Sequence, residues 1–251
     1  MTSRRENLVV VILAGGYGTR LAGTLENLPK PMAPANGRPF IEWIVRYLVA
    51  QGFRRFVVST GYRCEVIEAH FQSSPVPEVE VSCVRENSPM GTAGGFLHAV
   101  RHSGTSPDGW LVVNGDSLAL ASLSELVDGL ERTDLDGSML GVEMDDSSRY
   151  GTVEFNEAGR LQSFREKKPG RGVINAGVYL FRASSLRLFP DRTPLSFELD
   201  VFPELIDQGA KLEVSVTQVP FLDIGTPESL AQAEAFVMDN SGAFEDREGT
   251  A

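Results

Sequence analysis

Cysteine and histidine are scarce in this chain, and their scarcity narrows the kinds of site that it can hold. The 251 residues include two cysteines, Cys64 and Cys83, and three histidines. The cysteines lack the spacing of zinc ligands or of a disulfide framework, so we expect two buried free thiols. His98 and His102 have the i, i+4 spacing of a metal-binding pair, but no acidic third ligand accompanies them as a motif. We therefore expect this pair to lie on a helix surface.

Long apolar runs and excess positive charge are also lacking. The longest apolar run near the start is too short to span a bilayer, and Arg4 and Arg5 precede no signal-like segment. These features predict a cytoplasmic protein with no membrane partner. The 34 acidic residues outnumber the 23 basic residues, and the formal net charge of −11 argues against a nucleic-acid partner.

Short apolar segments alternate with segments of helical periodicity along most of the chain. Strands are predicted near 9–13, 56–58, 79–84, 110–113 and 173–181, and helices near 40–48, 66–71, 92–101, 197–208 and 227–238. A hairpin is predicted from 152–155 and 161–165. This order predicts an α/β fold that is Rossmann-like, with a mostly parallel sheet, helices on both faces and a small β excursion over the substrate pocket. The length and the 42% hydrophobic content fit one domain over 1–240, with a disordered tail over 241–251.

A glycine-rich loop follows the first predicted strand. Three glycines lie within four positions of this loop: Gly15, Gly16 and Gly18. Backbone N–H groups can approach a ligand closely at such positions, although the pattern fits neither the dinucleotide fingerprint nor the P-loop, and a tight structural turn is the alternative. Arg20 and Lys30 add cations nearby, and Pro29 and Pro31 stiffen the backbone around Lys30. The loop therefore predicts a phosphate-binding site.

The first strand, the glycine loop and the Pro-Lys-Pro-Met segment at 29–32 together form the most specific motif of the chain. This motif resembles the signature of sugar-1-phosphate nucleotidyltransferases, which make nucleotide-activated sugars from a nucleoside triphosphate. Further matching segments lie at 86–95, 113–116, 150–151, 164–167, 175–179 and 223–227. The resemblance covers most of residues 8–235.

Within this family, the segments at 30–34, 38–40 and 61–63 are most similar to bacterial D-glycero-D-manno-heptose 1-phosphate guanylyltransferases. Many glucose-1-phosphate enzymes carry Arg-Pro-Leu-Thr soon after the first arginine of the motif, whereas residues 22–25 here read Ala-Gly-Thr-Leu. The resemblance implies GTP and this heptose 1-phosphate as the leading substrate pair. Enzymes for another sugar 1-phosphate, such as glucose or mannose 1-phosphate, are the alternatives.

The resemblance also implies a reaction in which a sugar-phosphate oxygen attacks the α-phosphorus of the nucleoside triphosphate and pyrophosphate leaves. Both substrates are anions, so catalysis needs positioning and charge neutralisation from local cations and a metal. Arg20 would contact the β- and γ-phosphates, and Lys30 would bring the α-phosphate and the sugar phosphate together. Asp116 and Asp223 would hold Mg²⁺, which makes Asp116 a catalytic residue as well. Either aspartate alone, after a strand, is more often a turn or cap residue.

The same resemblance assigns two sets of binding residues. The nucleotide would be held by Leu13, Ala14, Gly15, Gly16, Gly18, Thr19, Gly91 and Thr92. The sugar and its phosphate would be held by Gly151, Glu166, Lys167, Asn175 and Gly177. For Lys167, which lies beside Lys168, a solvated basic patch is the alternative. Glu198 and Asp200 are expected to be structural or to lie at the pocket rim, because the phosphate chemistry needs no general-acid carboxylate.

Two other classes of protein are alternatives. A non-catalytic nucleotide-sugar-binding regulatory protein can share the fold, but the joint presence of the two cations and two aspartates named above argues against it. A nicotinamide-dependent dehydrogenase needs an acid near the end of the second strand, where residues 59–61 read Ser-Thr-Gly. The sequence leaves open the base, the sugar, its anomer and the quaternary structure, a homo-oligomer included. For Tyr17, at a position where related loops vary, an influence on the choice of base or on the choice of sugar is left open.

Overall fold

The computed structural model describes residues 5–18, 21, 23–25, 28–132, 134–165 and 169–245. Its strands are β1 (Leu8–Ala14), β2 (Pro34–Ala35), β3 (Arg38–Pro39), β4 (Arg55–Thr60), β5 (Glu80–Arg85), β6 (Gly109–Asn114), β7 (Ser117–Ala119), β8 (Gly137–Met144), β9 (Thr152–Phe155), β10 (Leu161–Arg165), β11 (Gly172–Arg182), β12 (Leu212–Thr217) and β13 (Phe221–Asp223). Its α-helices are α1 (Phe40–Val49), α2 (Cys64–Ser73), α3 (Thr92–His102), α4 (Ser124–Gly129), α5 (Phe202–Asp207), α6 (Pro227–Leu230) and α7 (Ala233–Asp239).

The centre of the main sheet is parallel. β1 lies between β6 and β4, and β5 follows β4 at the edge, with every one of these pairs parallel. On the other side, β11 runs antiparallel to β6 and also pairs with β8 and β9, while β12 pairs in parallel with β8. The predicted α/β fold with a mostly parallel central sheet is confirmed, and β11 is the strand at which the direction changes.

Strand β1 is buried along nearly its whole length, as its unbroken apolar sequence predicts. Val10 and Ile12 belong to one hydrophobic cluster, which includes the apolar face of α1. Val9 and Val11 belong to a second cluster, which includes residues of α3 and α5. Because successive side chains of a strand point to opposite faces, the two clusters are cores on the two faces of the sheet. Helices cover both faces, and the carboxyl ends of the parallel strands are left to the loops.

The predicted hairpin is formed by β9 and β10. Asn156 closes its turn, since Oδ1 of this residue accepts hydrogen bonds from the backbone N–H groups of Ala158 and Arg160, each at 3.0 Å. Phe164 of β10 stacks on Phe202 of α5 with 5.2 Å between ring centroids. The hairpin is therefore fixed to the helix that covers this face of the sheet.

Two predicted helices are each divided in the structure. The helix predicted over 197–208 is a π-helix, Phe197–Val201, followed by α5. Pro203 lies in the first turn of α5, a position at which proline is common in helices. The helix predicted over 227–238 is α6 followed by α7. Within the described ranges, none of the helices combines the length and the apolar character that a bilayer span requires.

The disordered tail over 241–251 stays a prediction, and the part of it that the structure describes begins with a short helical turn. Residues Ser241–Ala243 form a 3₁₀-helix, and Phe244 packs edge-on against Trp43 of α1 with 5.1 Å between ring centroids. The contact has a physical reason, because two apolar rings leave water when they meet. The domain boundary at residue 240 stays a prediction, and residues 246–251 lie outside the described residues.

Candidate active site

The glycine loop leaves the carboxyl end of β1 and packs directly against the turn that follows β4. A Cβ atom on Gly61 would lie 2.9 Å from Gly15 Cα, so a side chain at residue 61 would displace the loop. The backbone N–H of Tyr62 donates to the Gly15 carbonyl at 3.4 Å. Gly18 has a φ of 58°, a conformation that glycine adopts without strain. The turn after β4 therefore supports one side of the loop, and the other side of the loop faces the carboxyl ends of the parallel strands.

Lys30, Asp116 and Asp223 converge beside this loop. Lys30 begins the 3₁₀-helix Lys30–Met32, directly after Pro29. Its Nζ lies 2.6 Å from Asp116 Oδ2 and 3.7 Å from Asp223 Oδ1. The lysine side chain is 14% exposed and the two aspartates are 36% and 30% exposed, so all three groups are accessible from the pocket but largely surrounded by protein.

Two short strands bring the aspartates together. Asp116 follows β6 and precedes β7, and β7 pairs with β13 so that Ser117 lies opposite Asp223. The backbone N–H of Ile224 donates to the Asp116 carbonyl at 3.0 Å. The Asp223 carboxylate is oriented by the backbone N–H of Gly225, which donates to Oδ1 at 2.5 Å. The pairing of β7 with β13 therefore explains why two residues so far apart in the sequence share one lysine.

Two adjoining cavities flank the glycine loop. The first, of about 340 Å³, is lined by Leu13, Ala14, Gly16, Gly18, Leu21, Lys30, Pro31, Asp116, Asp223 and Gly225. The second, of about 320 Å³, is lined by Leu13, Gly15, Gly16, Tyr17, Glu86, Pro89, Met90, Gly91, Thr92, Asn114 and Asp116. Leu13, Gly16 and Asp116 belong to both cavities, so a ligand as long as a nucleoside triphosphate can extend from one into the other. The described residues of the predicted nucleotide set all line one of the two.

Glu86 lies in the second cavity and received no role from the sequence. Its Oε1 accepts a hydrogen bond from Ser59 Oγ at 2.9 Å, and its Oε2 accepts a long one from the Met90 backbone N–H at 3.4 Å. Burial raises the pKa of this carboxyl group. Cβ atoms on Gly15 and Gly95 would lie 2.8 Å and 3.1 Å from Glu86 Cδ, so a side chain at either position would displace this carboxylate. The sequence shows the two glycines but not that they lie beside the same carboxylate.

The predicted sugar-phosphate residues that the structure describes lie next to the second cavity and to the antiparallel pair of β7 and β13. Asn175 Nδ2 donates to the Tyr179 hydroxyl at 2.7 Å, and Asn175 Oδ1 accepts from the Gly177 backbone N–H at 2.9 Å. A Cβ atom on Gly177 would lie 2.6 Å from Cγ of Asn114, which lines the second cavity. Gly151 follows Tyr150, whose ring packs edge-on against Phe221 at 5.5 Å. Their contact with a sugar stays a prediction.

Four predicted site residues lie outside the described residues: Thr19, Arg20, Glu166 and Lys167. Lys168 lies there as well, so the alternative of a basic patch stays open. Glu198 accepts hydrogen bonds from the hydroxyls of Tyr179 and Ser196, at 3.2 and 3.0 Å. Asp200 accepts one from the Ser196 backbone N–H at 2.7 Å. Both contact neighbouring protein groups, consistent with a structural role.

Neither the cysteines nor the histidines line either of the two cavities. Cys64 and Cys83 are free, with Cys64 buried and Cys83 half-buried. Burial raises the pKa of Cys83 to about 11, so this thiol is a weak nucleophile near neutral pH. On α3, His98 and His102 contact the backbone carbonyls of Arg85 and His98, at 3.1 and 2.8 Å. These histidines thus contact backbone groups of α3 and of the adjacent strand β5.

The pair of carboxylates fits a magnesium ion. Mg²⁺ prefers oxygen ligands and in proteins commonly uses one or two carboxylates, with substrate phosphates and water completing the shell. Asp116 and Asp223 are both within 4 Å of a single ammonium group, so their oxygens converge on one small volume. No larger cluster of acidic, histidine or cysteine side chains suited to a metal occurs in the described part of the chain. The donor set therefore needs phosphate oxygens to complete it.

Comparison with known proteins gives a consistent result over nearly the whole chain. The family model described as nucleotidyl transferase matches residues 9–240. The D-glycero-alpha-D-manno-heptose 1-phosphate guanylyltransferase of Aneurinibacillus thermoaerophilus is 32% identical over 225 residues, which cover 89% of this chain and 96% of that protein. The mannose-1-phosphate guanylyltransferase of Mycobacterium tuberculosis is 32% identical over 228 residues, which cover 90% of this chain but span only 63% of that protein.

Solved structures agree with these relatives. The crystal structure of HddC from Yersinia pseudotuberculosis complexed with GMP-PN has a TM-score of 0.79 and 33% sequence identity to this chain. The match covers 90% of this chain and 98% of HddC. The family match over 9–240 includes the glycine loop and the residues that line both cavities.

Proposed function

The chain belongs to the nucleotidyl transferase family, as a sugar-1-phosphate nucleotidyltransferase, and from that premise we propose that its substrates are GTP and D-glycero-D-manno-heptose 1-phosphate. The observation that carries the proposal is the convergence of Lys30, Asp116 and Asp223 beside the glycine loop. One cation, together with two carboxylates that can hold Mg²⁺, suits the binding of phosphates at the open end of a parallel sheet.

In the proposed reaction, an oxygen of the sugar phosphate forms a bond to the α-phosphorus of GTP, and the bond from that phosphorus to pyrophosphate breaks. The ammonium of Lys30 can contact the α-phosphate and the incoming sugar phosphate together, which aligns the two anions and offsets their repulsion. Arg20, by family resemblance, contacts the pyrophosphate that leaves. Backbone N–H groups of the glycine loop hold the phosphates between the two cavities.

Magnesium is part of this proposal. Asp116 and Asp223 would hold the ion, which would neutralise charge on the phosphate oxygens. The two carboxylates already attract the ammonium of Lys30, with the shorter distance, 2.6 Å, to Asp116. The lysine is thereby kept at the point where the phosphates are expected to meet.

The choice of guanine rests on Glu86 and on the relatives. Guanine presents two adjacent donors, N1–H and the N2 amino group, whereas adenine presents an acceptor at N1. A carboxylate has two oxygens and no donor when ionised, so it pairs with the guanine edge and repels the adenine edge. Each Glu86 oxygen has one protein donor and retains capacity for another. The two curated relatives compared above are both guanylyltransferases.

The choice of heptose rests on the segments at 30–34, 38–40 and 61–63, which are most similar to bacterial heptose 1-phosphate guanylyltransferases. The heptose enzyme from A. thermoaerophilus and the mannose enzyme from M. tuberculosis are each 32% identical to this chain. Mannose 1-phosphate is the second candidate, because that identity is equal. A cytoplasmic location belongs to the same proposal, since free thiols such as Cys64 and Cys83 persist in reducing compartments.

The test is pyrophosphate release with Mg²⁺ over a grid of nucleoside triphosphates and sugar 1-phosphates, with both anomers of the heptose phosphate. We expect release with GTP and the heptose phosphate. Release with GTP and mannose 1-phosphate instead would make mannose 1-phosphate the sugar substrate. Release with another nucleoside triphosphate would contradict the choice of guanine. Nucleotide-sugar binding without any release would support the regulatory protein and contradict the enzyme.

A further inference from the structure

Tyr17 places an aromatic ring in solvent at the centre of the candidate site. Its relative exposure is 58%, and it lies in the glycine loop that follows the buried strand β1. The other exposed large apolar residues that the structure describes are Leu28, Leu199, Val216 and Met238. None of these four lines either of the two cavities, whereas Tyr17 lines the second. When a ligand covers an exposed ring in a pocket, apolar surface leaves water and the free energy falls.

Tyr62 supports the Tyr17 ring from the other side. The two ring centroids are 5.7 Å apart with an interplanar angle of 44°. Tyr62 is itself anchored to the glycine loop, because its backbone N–H donates to the Gly15 carbonyl and Gly61 packs against Gly15. The neighbouring turn thus backs the Tyr17 ring while its other surface stays exposed.

The chemistry of the second cavity indicates which part of a nucleotide meets the ring. Pro89 and Met90 give the cavity apolar surface. Glu86 gives it one carboxylate, and Asp116 gives it a second one that also lines the first cavity. The ammonium of Lys30, which suits phosphates, lines the first cavity and not the second. A flat, partly apolar group with hydrogen-bond donors at its edge fits the second cavity, and a nucleobase has this chemistry.

We propose that Tyr17, backed by Tyr62, is the surface on which the nucleobase stacks. This inference rests on the proposed function, since it takes the second cavity to be the base site. In this arrangement Tyr17 covers the face of the base, which is common to all bases, while Glu86 contacts its edge. Tyr17 then determines how tightly a nucleotide binds and not which base is preferred.

The test is calorimetric binding of GTP and of inorganic tripolyphosphate, which lacks a base, to the full chain with Mg²⁺. For Tyr17→Ala we expect the Kd for GTP to rise by about tenfold or more, as for the loss of one base–aromatic stack. The Kd for tripolyphosphate stays within about twofold, and Tyr17→Phe, which keeps the ring, binds GTP as the wild type does. Tyr62→Ala weakens GTP binding to a smaller extent, because it removes only the support. Met238→Ala is the matched control, with the same 58% exposure at a residue outside both cavities.

Two results would overturn the inference. GTP binding unchanged in Tyr17→Ala would mean that the ring does not contact the base. An equal loss for GTP and tripolyphosphate would mean that Tyr17 shapes the loop for phosphates. Failure of the proposed function is separately visible, because the wild-type chain would then bind no nucleoside triphosphate. If the wild type prefers a nucleotide other than GTP, the same comparison is made with that nucleotide, and the two overturning results are unchanged.

Discussion

Cavities lie at both ends of the parallel strands, here called the carboxyl edge and the opposite edge of the sheet. The polar groups at the two edges differ in the bonds that they make. At the carboxyl edge, two cavities of about 340 and 320 Å³ flank the glycine loop. At the opposite edge, a larger cavity of about 560 Å³ lies beside the first residues of β1 and β6 and the last residue of β11. Its lining is Asn7, Leu8, Pro107, Asp108, Val127, Leu130, Glu131, Arg182, Ala183 and Ser184.

Cavity volume therefore does not identify the candidate site. The interactions of the charged side chains at the two edges do. At the opposite edge, the guanidinium of Arg182 donates to the backbone carbonyls of Leu130, Arg132 and Leu135, at 2.6, 3.3 and 3.2 Å. These bonds tie the end of β11 to the segment after α4, which is a structural task. At the carboxyl edge, the ammonium of Lys30 is shared by two half-exposed carboxylates. A phosphate can recruit that ammonium without breaking the fold, and it cannot recruit the guanidinium of Arg182 at so small a cost.

The largest expected effect separates the two edges by activity. Asp116→Asn removes a charge that we place on the metal and beside Lys30, so kcat should fall by on the order of 10²-fold or more. The matched change at the opposite edge is Asp108→Asn, an exposed carboxylate whose side chain accepts one hydrogen bond, from Asn7 at 3.2 Å. This variant should keep the wild-type kcat. Steady-state pyrophosphate release measures both variants, with circular dichroism to verify the fold.

Near-normal turnover of Asp116→Asn would remove Asp116 from the mechanism. A loss of activity in Asp108→Asn with the fold intact would give the opposite edge a function that its paired polar groups do not suggest.

The next effect separates packing from ligand contact within the glycine loop. A Cβ atom on Gly61 would lie 2.9 Å from Gly15 Cα, and backbone atoms cannot move aside cheaply, so Gly61→Ala should destabilise the fold by about 3 kcal/mol. A Cβ atom on Gly16 would meet nothing within 4 Å, so Gly16→Ala should keep wild-type stability. Gly16 lines both cavities, and the added methyl group should still weaken nucleotide binding. Urea unfolding and calorimetric titration distinguish the two effects.

If Gly16→Ala is destabilised as strongly as Gly61→Ala, the glycine at residue 16 serves the turn and not the ligand. The alternative of a tight structural turn would then account for the loop.

Local pattern predicted the parallel half of the fold well and the mixed half less well. β1 is buried along nearly its whole length, and its unbroken apolar run shows this directly. β8 was not predicted because Gly137 and Gly141 weaken its strand pattern. Cβ atoms at these positions would lie 2.8 Å from Phe181 Cδ1 and 2.6 Å from Val173 Cγ1, so glycine is needed for packing that only the fold creates.

The candidate site shows the same limit. Family resemblance selected Lys30, Asp116 and Asp223, and the structure brings them together. The pairing of β7 with β13 brings them together, but each of these strands has only three residues, which is too short for a periodic sequence pattern. Glu86 was missed because its role depends on the space left by Gly15 and Gly95, which belong to two different elements. Spacing across elements is a tertiary property, and the sequence alone does not display it.

A smaller effect tests whether the opposite edge is structural. Arg182→Met removes a guanidinium that satisfies three backbone carbonyls, so we expect a loss of about 2 kcal/mol in the free energy of unfolding. The matched control is Arg187→Met, an exposed arginine that donates to one carbonyl, Ser184, at 3.2 Å, and it should change stability by less than about 0.5 kcal/mol. Both variants should keep the KM for GTP. Denaturant unfolding measures stability, and an increase in KM for GTP in Arg182→Met would contradict the division between the two edges.

The smallest expected effect concerns the sign of a pH dependence, and it compares Glu86 at the site with Glu42 in α1. Burial raises the pKa of Glu86, so the folded chain binds its proton more tightly than the unfolded chain. The stability that this group contributes is then greatest below the unfolded pKa, close to 4.5, and is lost as the pH rises through the folded value. Glu86→Gln, which does not titrate, should therefore gain stability relative to the wild type as the pH rises from about 4.5 towards neutrality.

Glu42 should show the opposite sign. Burial would raise the pKa of this carboxyl group, but hydrogen bonds and charge from Arg46 and Arg38 outweigh burial and lower it. Its contribution is present above the unfolded pKa and is lost as the pH falls through the folded value, so Glu42→Gln should be least stable relative to the wild type near neutral pH. Urea unfolding of both variants and the wild type between about pH 3 and 7 measures the two slopes. If the stability differences of the two variants depend on pH with the same sign, the ionised form of Glu86 is stabilised by the fold as that of Glu42 is. The Glu86 carboxylate would then already have its partners and would not be available to a ligand.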